Sequence, residues 1–372
     1  MNAVIIHGPG DIRVEVKPRP SIQEDYDAVV RVTVAGICGS ELHPYRGHQK
    51  TSFGHIMGHE FAGIVEQVGS KVTTVKKGDR VFGLFSTSCL RCWFCTHNHT
   101  NRCVRSLALG TAQINGSQAE YVRVPDADGT LQLAPPDIAD ELLVMMSDIF
   151  PTGYYGAMRA MSQFAAPPAT KDDPGQEAGS SGSSSSSKAM QKQPLESAVI
   201  VCLGCGIVGL CAIMTAVVKG AGTVFCVDSV EDRLEQARRM GGVPLRLGVD
   251  DVHKVVMEVT GGRGADAVVE SVGNQAALRS AFELLRPCGV LSSVGFHQSE
   301  MPFTALQGYQ KNINLNMGRA PVRAVLEEAL QVFVENKSKF ADVISHRLPL
   351  TEAPLGYKLF DTQEARKVVL RP

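Results

Sequence analysis

The hydrophobic and polar positions fall into three stretches of different rhythm. Up to about residue 125, short apolar runs rich in β-branched residues alternate with glycines and charged turns. Residues 27–34 (Asp-Ala-Val-Val-Arg-Val-Thr-Val) and 63–68 read as strands, and Lys77-Gly78-Asp79 reads as a turn leading into Arg80-Val81-Phe82. From about 198 to 295 the rhythm changes. Residues 198–203, 223–227, 266–270 and 290–294 are apolar runs of buried-strand length, with helical candidates at 231–240 and 275–285 between them. Strands alternating with helices predict βαβ units and a parallel sheet. Beyond about 300, residues 322–334 have the spacing of an amphipathic helix, followed by strand-like runs at 341–347 and 366–370. No internal repeat of fixed period is present.

Two stretches stand apart. Residues 198–218 hold 21 positions without a charge, about the length that a bilayer requires. Three glycines interrupt them, at 204, 206 and 209, so a buried strand, a glycine turn and a buried helix account for the run better than a membrane span does. Residues 166–194 are rich in Pro, Gly and Ser, with five consecutive serines at 183–187. Such a composition buries too little apolar surface to offset the entropy of ordering it, and a flexible linker or surface insertion is expected.

Composition narrows the class. Among 372 residues, 37 Lys+Arg face 38 Asp+Glu, a net charge of −1, with 44% hydrophobic and 20% charged residues. These are the proportions of a globular protein with room for two or three domains. The balance argues against a nucleic-acid binder and against a polybasic membrane surface. Residues 1–8 lack the pattern of a secretory signal, so a reducing, cytoplasmic setting is expected, where clustered cysteines mean metal or catalysis rather than disulfides.

Of the ten cysteines, Cys89, Cys92, Cys95 and Cys103 form a C-x2-C-x2-C-x7-C run. Four thiolates on one polar loop can close a tetrahedron around Zn²⁺ with no open position, which makes such a site structural. Unrelated buried cysteines, or a nucleic-acid-binding zinc ribbon using Arg91, Arg102 and Arg105, are the alternatives. Gly204-Cys205-Gly206-Ile207-Val208-Gly209 follows a predicted strand and opens a predicted helix, and Asp228 ends the next strand 22 residues past Gly206. In that context the glycines admit a dinucleotide pyrophosphate to the helix N-terminus, and the Asp228 carboxylate accepts ribose hydroxyls. The same carboxylate repels a 2′-phosphate, so NAD is expected over NADP, although Arg233 can still reach the adenosine end. A glycine turn without a nucleotide, or an FAD or S-adenosylmethionine site, are the competing readings.

Cys38-Gly39-Ser40-Glu41-Leu42-His43 and Gly58-His59-Glu60 are ordinary when taken alone. Together with the cysteine loop, the glycine turn, Gly116-Ser117-Gln118-Ala119-Glu120-Tyr121-Val122 and Asp148-Ile149-Phe150-Pro151-Thr152-Gly153, in this order, the chain resembles the zinc-containing medium-chain alcohol dehydrogenases. Asp148, where many members have cysteine, resembles the branch of formaldehyde, polyol and threonine dehydrogenases. The resemblance implies an α/β fold with a β-rich GroES-like catalytic domain (1–152 and 306–372) and a Rossmann NAD-binding domain (153–305) carrying the 166–194 insertion. It implies two zinc ions per chain: one held by Cys38, His59 and Asp148, with Glu60 as an alternate ligand, and one by the four cysteines. It further implies a Ser40–His43 proton relay, Thr152 against the nicotinamide, and Gly273 and Arg366 among the cofactor contacts.

The implied reaction is hydride transfer between NAD(H) and an alcohol or carbonyl compound through a zinc-bound alkoxide. Reduction of a C=C bond and a non-catalytic nucleotide-binding role are the alternatives. A homodimer or homotetramer is expected, with a small-molecule substrate and neither nucleic acid nor membrane as partner. Phe53, Tyr45, Trp93, Leu109, Phe150 and Phe296 are candidates to line a pocket. Glu41 stands where the family's aspartate orients the histidine ligand, a difference of one methylene.

Overall fold

The computed structural model describes residues 1–165 and 192–372, so most of the serine-rich segment lies outside the described residues. Its stems are tied together, because Ala165 N–H donates to the Gln193 carbonyl at 3.0 Å. The chain divides into two compact units, residues 1–155, 206–211 and 319–372, and residues 156–205 and 212–318.

The first unit contains β1 (Asn2–Gly8), β2 (Asp11–Val16), β3 (Ala28–Ile37), β4 (Phe61–Val68), β5 (Arg80–Gly83), β6 (Tyr121–Val124) and β7 (Leu131–Leu133). Helix α1 (Ile149–Ala160) then leads the chain into the second unit. Then β8 (Val199–Leu203), α2 (Ile207–Val218, of which 207–211 group with the first unit), β9 (Thr223–Asp228), α3 (Glu231–Arg239), β10 (Val243–Arg246), α4 (Val252–Val259), β11 (Ala265–Glu270), α5 (Gln275–Leu284), β12 (Leu285–Ser293), α6 (Ala305–Lys311) and β13 (Asn314–Met317) follow. The chain returns through α7 (Val322–Asn336), β14 (His346–Pro349), α8 (Ala353–Asp361) and β15 (Val368–Arg371).

In the first unit, β1 and β2 form a hairpin, and the other strands form a seven-stranded sheet in the order β14-β15-β3-β4-β5-β7, with β6 also pairing to β3. Two apolar clusters pack on it. One contains Val30, Phe61, Val65, Val81 and Val122, and the other contains Val4, Ile6, Ile37, Met57, Tyr357 and Val368. In the second unit, six parallel strands run β10-β9-β8-β11-β12-β13, the parallel sheet that the alternating pattern predicts, in a doubly wound order. Every residue of β8 is buried, and so are residues 209–216 of α2. Burial on both faces explains the uncharged 198–218 run, and among the described residues no helix is long and apolar enough to cross a membrane.

Two expectations change. The second unit extends to Gly318 rather than to 305, because β13 pairs in parallel with β12. That edge strand, Asn-Leu-Asn-Met, is partly exposed and polar at alternate positions, so it carries no apolar run to signal it. The strand expected at 341–347 is instead β14, which pairs with β15, while Val343 and Ile344 before it are buried in a turn.

Candidate metal and nucleotide sites

The C-terminal end of β3 delivers Cys38, and the turn entering β4 delivers His59 and Glu60. Cys38 Sγ, a ring nitrogen of His59 and a carboxylate oxygen of Glu60 lie within 4.8 Å of one another, and all three residues are buried. Asp148, at the start of α1, brings Oδ2 to 3.7 Å from His59 Nε2. Thus Cys38, His59 and Glu60 form the cluster itself, and Asp148, 110 positions along the chain from Cys38 (148 − 38), approaches it through the His59 ring.

Each donor is held from behind. Glu41 Oε1 lies 3.1 Å from His59 Nδ1. Its other oxygen accepts from Gln118 Nε2 at 2.9 Å, Tyr357 Oη at 2.9 Å and the Cys38 amide at 3.3 Å. The additional methylene of Glu41 therefore spans to a network rather than breaking it, and it leaves Nε2 as the free ring nitrogen, as a metal-bound histidine requires. Thr152 Oγ1 donates to Asp148 Oδ1 at 2.8 Å. Glu60 pairs with Lys367, and both side chains are wholly buried. Lys367 also donates to the Ile37 carbonyl at 2.9 Å. Gly36 makes room for this pair, since a Cβ there would meet the Glu60 carboxylate and the Lys367 ammonium.

The local field favours positive charge. Burial acts to lower the His59 pKa, yet the Cys38 sulfur and the Asp148 carboxylate outweigh it and hold it well above its ordinary value. Burial tends to raise the Asp148 pKa, but hydrogen bonds from His59 and Thr152 keep it lowered. Glu60 Oε1 is buried without a hydrogen-bond partner. A soft sulfur, an imidazole and carboxylates around one point, with an unsatisfied buried oxygen, suit a zinc ion.

The four cysteine sulfurs also lie within 4.8 Å of one another, compatible with the spacing of about 3.8 Å that a tetrahedron of 2.3 Å bonds requires. Hydrogen bonds from the Val104 and Cys95 backbone lower the Cys92 pKa to about 6. The Cys89 and Arg105 amides point at Cys103 Sγ at 3.3 and 3.4 Å. Arg91 and Arg105 both pair with Asp126, at 3.2 and 2.9 Å. Two of the three arginines that a nucleic-acid-binding ribbon would present are thereby neutralised.

Gly204, just past β8, has φ +89, a left-handed turn open to glycine, and the space beside Gly206 is empty of heavy atoms to 4 Å. Ile207, Val208 and Gly209 form the first turn of α2. Asp228, at the end of β9, accepts from the amides of Cys205 at 2.8 Å and Val230 at 3.0 Å. Arg233 stands 3.7 Å from the same carboxylate. Gly273 (φ +80) lies just past β11, its amide held by the buried Glu270 at 2.7 Å. Close backbone approach and a helix N-terminus suit a dinucleotide pyrophosphate.

Other candidates are placed differently. Ser40 is exposed and His43 half-buried on the short helical turns after Cys38, where burial, followed by His48 and Arg46, lowers the His43 pKa. Arg366 donates to the Asp342 carbonyl at 2.9 Å, and its neighbour Lys367 is the residue that reaches the metal-ligand cluster. Phe150 belongs to an aromatic core with Phe333 and Phe340, and Leu109 is core as well. Trp93 is 60% exposed on the cysteine loop, stacked on His97. Phe85, which the sequence left unremarked, stands edge-on to the His59 ring at a centroid distance of 6.3 Å. Lys367, Tyr357 and Phe85 carry no motif; only the unusual lysine beside an apolar C-terminal strand offered a signal.

Residues 24–135 match the alcohol dehydrogenase GroES-like domain, and residues 208–335 match the zinc-binding dehydrogenase family. The chain is 40% identical to zinc-type alcohol dehydrogenase B of Aspergillus flavus over 373 aligned residues, covering 100% of this chain and 81% of that protein. It is 45% identical to the medium chain reductase/dehydrogenase ucsI of Acremonium sp, covering 83% and 98%. Among solved structures it is similar to the alcohol dehydrogenase TADH from Thermus sp. ATN1, with a TM-score of 0.86, 32% identity and coverage of 100% and 99%.

Proposed function

Because the chain belongs to the zinc-dependent medium-chain alcohol dehydrogenase family, a family of oxidoreductases using zinc and a nicotinamide cofactor, we propose that Cys38, His59 and Asp148 hold its reactive zinc. In this reading the four cysteines hold a second, structural zinc, and the Gly204–Gly209 turn with Asp228 and Arg233 takes NAD rather than NADP. When bound, these groups supply a Lewis acid and a hydride carrier for an alcohol/carbonyl pair.

The residues of the chain do the rest. Glu41 fixes the His59 tautomer through Nδ1, and Thr152 orients the Asp148 carboxylate. Lys367 holds one oxygen of Glu60, which leaves Oε1 as the reserve donor. Phe85 presents an apolar wall beside His59, which keeps water from the reacting carbon. His43, with its lowered pKa, is neutral at pH 7 and ready to accept a proton passed through Ser40 to solvent. The observation carrying this reading is His59 standing between a Glu41 carboxylate on Nδ1 and an Asp148 carboxylate by Nε2, with the Cys38 sulfur in the same cluster.

The test is zinc per chain by elemental analysis, together with NAD-linked turnover of alcohols. Two zinc ions per chain are expected, falling to one in Asp148→Ala with loss of hydride transfer. One zinc in the wild type, lost only when the cysteines are replaced, refutes the catalytic site. Similarity to a protein named a reductase/dehydrogenase favours also assaying carbonyl and C=C reduction with NADH.

A further inference from the structure

Arg319 is the residue at which the chain re-enters the first unit. Asn101 Nδ2, on the cysteine lobe, holds its backbone by donating to the Arg319 carbonyl at 2.6 Å. Its guanidinium carbon lies 5.6 Å from the centroid of the Phe85 ring, the ring that stands edge-on to His59. Arg319 forms no ion pair with any described residue, and neither does Arg102. The two cations instead act on each other. Burial and then the Arg102 charge depress the Arg319 pKa, and only Asp148 opposes them.

Elsewhere in this unit arginines near carboxylates are paired, as Arg80 is with Asp140, Arg105 with Asp126 and Arg123 with Asp27. A guanidinium placed on an aromatic wall, close to a second cation and without an ion pair among the described residues, carries a desolvation and repulsion cost that the Asp148 charge offsets only in part. A planar guanidinium matches a carboxylate bidentately. The nucleotide phosphates have their own cradle at the Gly204 turn, so they do not account for this charge.

We propose that Arg319, supported by Arg102, is the substrate-anion site of this enzyme, and that the alcohol or carbonyl compound it acts on carries a carboxylate remote from the reacting carbon. The inference rests on the reading that the reacting carbon sits at the Cys38–His59–Asp148 cluster. Phe85 then lies along the intervening methylene chain, and Arg319 sets the length of substrate accepted.

The experiment uses the full-length, zinc-loaded enzyme with NAD. ω-Hydroxy acids of three to eight carbons are compared with 1-alkanols of equal carbon number. One chain length is expected at which the hydroxy acid exceeds its neutral partner in kcat/KM by about 10- to 100-fold, the value of a charge-assisted pair. Arg319→Gln is expected to bring that ratio close to one, and Arg319→Lys to restore part of it. ω-Hydroxyalkyl phosphates form a further arm, and a preference for them over the carboxylates overturns the assignment of a carboxylate. Neutral alcohols turned over equally well, or an Arg319→Gln effect that falls on the KM for NAD and leaves the ratio unchanged, also overturn the proposal. Calorimetric binding of 6-hydroxyhexanoate separates the two layers of argument. Binding to the wild type that Arg319→Gln abolishes upholds the anion site even if no alcohol is oxidised, whereas turnover of neutral alcohols without such binding upholds the dehydrogenase and refutes the anion site.

Discussion

Glu41→Gln tests the metal-ligand network most directly. The substitution preserves shape but gives one end of the side chain two N–H donors. If the amide nitrogen takes the Oε2 position, it meets three donors already aimed there, from Gln118, Tyr357 and the Cys38 backbone. If it takes the Oε1 position, it faces His59 Nδ1 at about 3 Å and favours the tautomer with the proton on Nε2, the nitrogen a metal needs free. Either way at least one charge-assisted hydrogen bond is lost in a residue only 4% exposed, a cost of about 1.5–3 kcal/mol. That corresponds to zinc binding about 10–100-fold weaker at this site. Chelator competition on the zinc-loaded protein measures it, and zinc retained at the four cysteines reports that the fold is intact. Glu41→Asp keeps the charge but shortens the reach, so it should weaken binding less. Zinc affinity in Glu41→Gln within about twofold of wild type would refute the argument that Glu41 sets the His59 tautomer.

Lys367→Met leaves the Glu60 carboxylate buried and unpaired, and should cost about 3–5 kcal/mol of stability. Adding Glu60→Gln should recover most of that in urea unfolding; a single variant costing under about 1 kcal/mol would show that the pair is not buried in solution. Asp266, wholly buried, accepts from Arg286 at 2.7 Å, Arg263 at 3.1 Å and the Val199 amide at 2.9 Å. Burial tends to raise its pKa, but these bonds outweigh it and hold the folded value below the ordinary one. Folding therefore favours the ionised form. The stabilisation is full above about pH 4 and is lost as pH falls through the folded value. Acid titration of unfolding should show Asp266→Asn less stable than wild type at pH 7, with the difference narrowing below about pH 4; a constant difference would place the effect elsewhere.

Local chemistry made the nucleotide unit legible. A parallel strand buried on both faces must be an apolar run, and a pyrophosphate turn must be glycine-rich, so residues 198–228 disclose both fold and ligand class within thirty-one positions. The four-cysteine loop is equally local, since its donors lie within fifteen residues of chain. For Cys38, His59 and Asp148 the residues alone were mute, and only the resemblance to a family joined them. What brings them together is the packing of the helical turn Val144–Ser147, just before Asp148, against β3, β4 and β5, with the Phe61 amide donating to Ser147 Oγ at 3.3 Å, a long-range arrangement without sequence periodicity.

Still less of the surrounding shell could be read. Tyr357 and Lys367 lie more than 300 residues from the Glu41 and Glu60 carboxylates they satisfy, and a buried charge declares its partner only once burial is known. The sequence by itself determined the classes of element, the glycine turn and the cysteine cage, because each follows from short-range spacing. The tertiary structure alone decided which carboxylate faces which histidine nitrogen, that Lys367 reaches Glu60, and that Arg319 has no ion pair among the described residues, because those facts depend on desolvation among groups far apart in the chain.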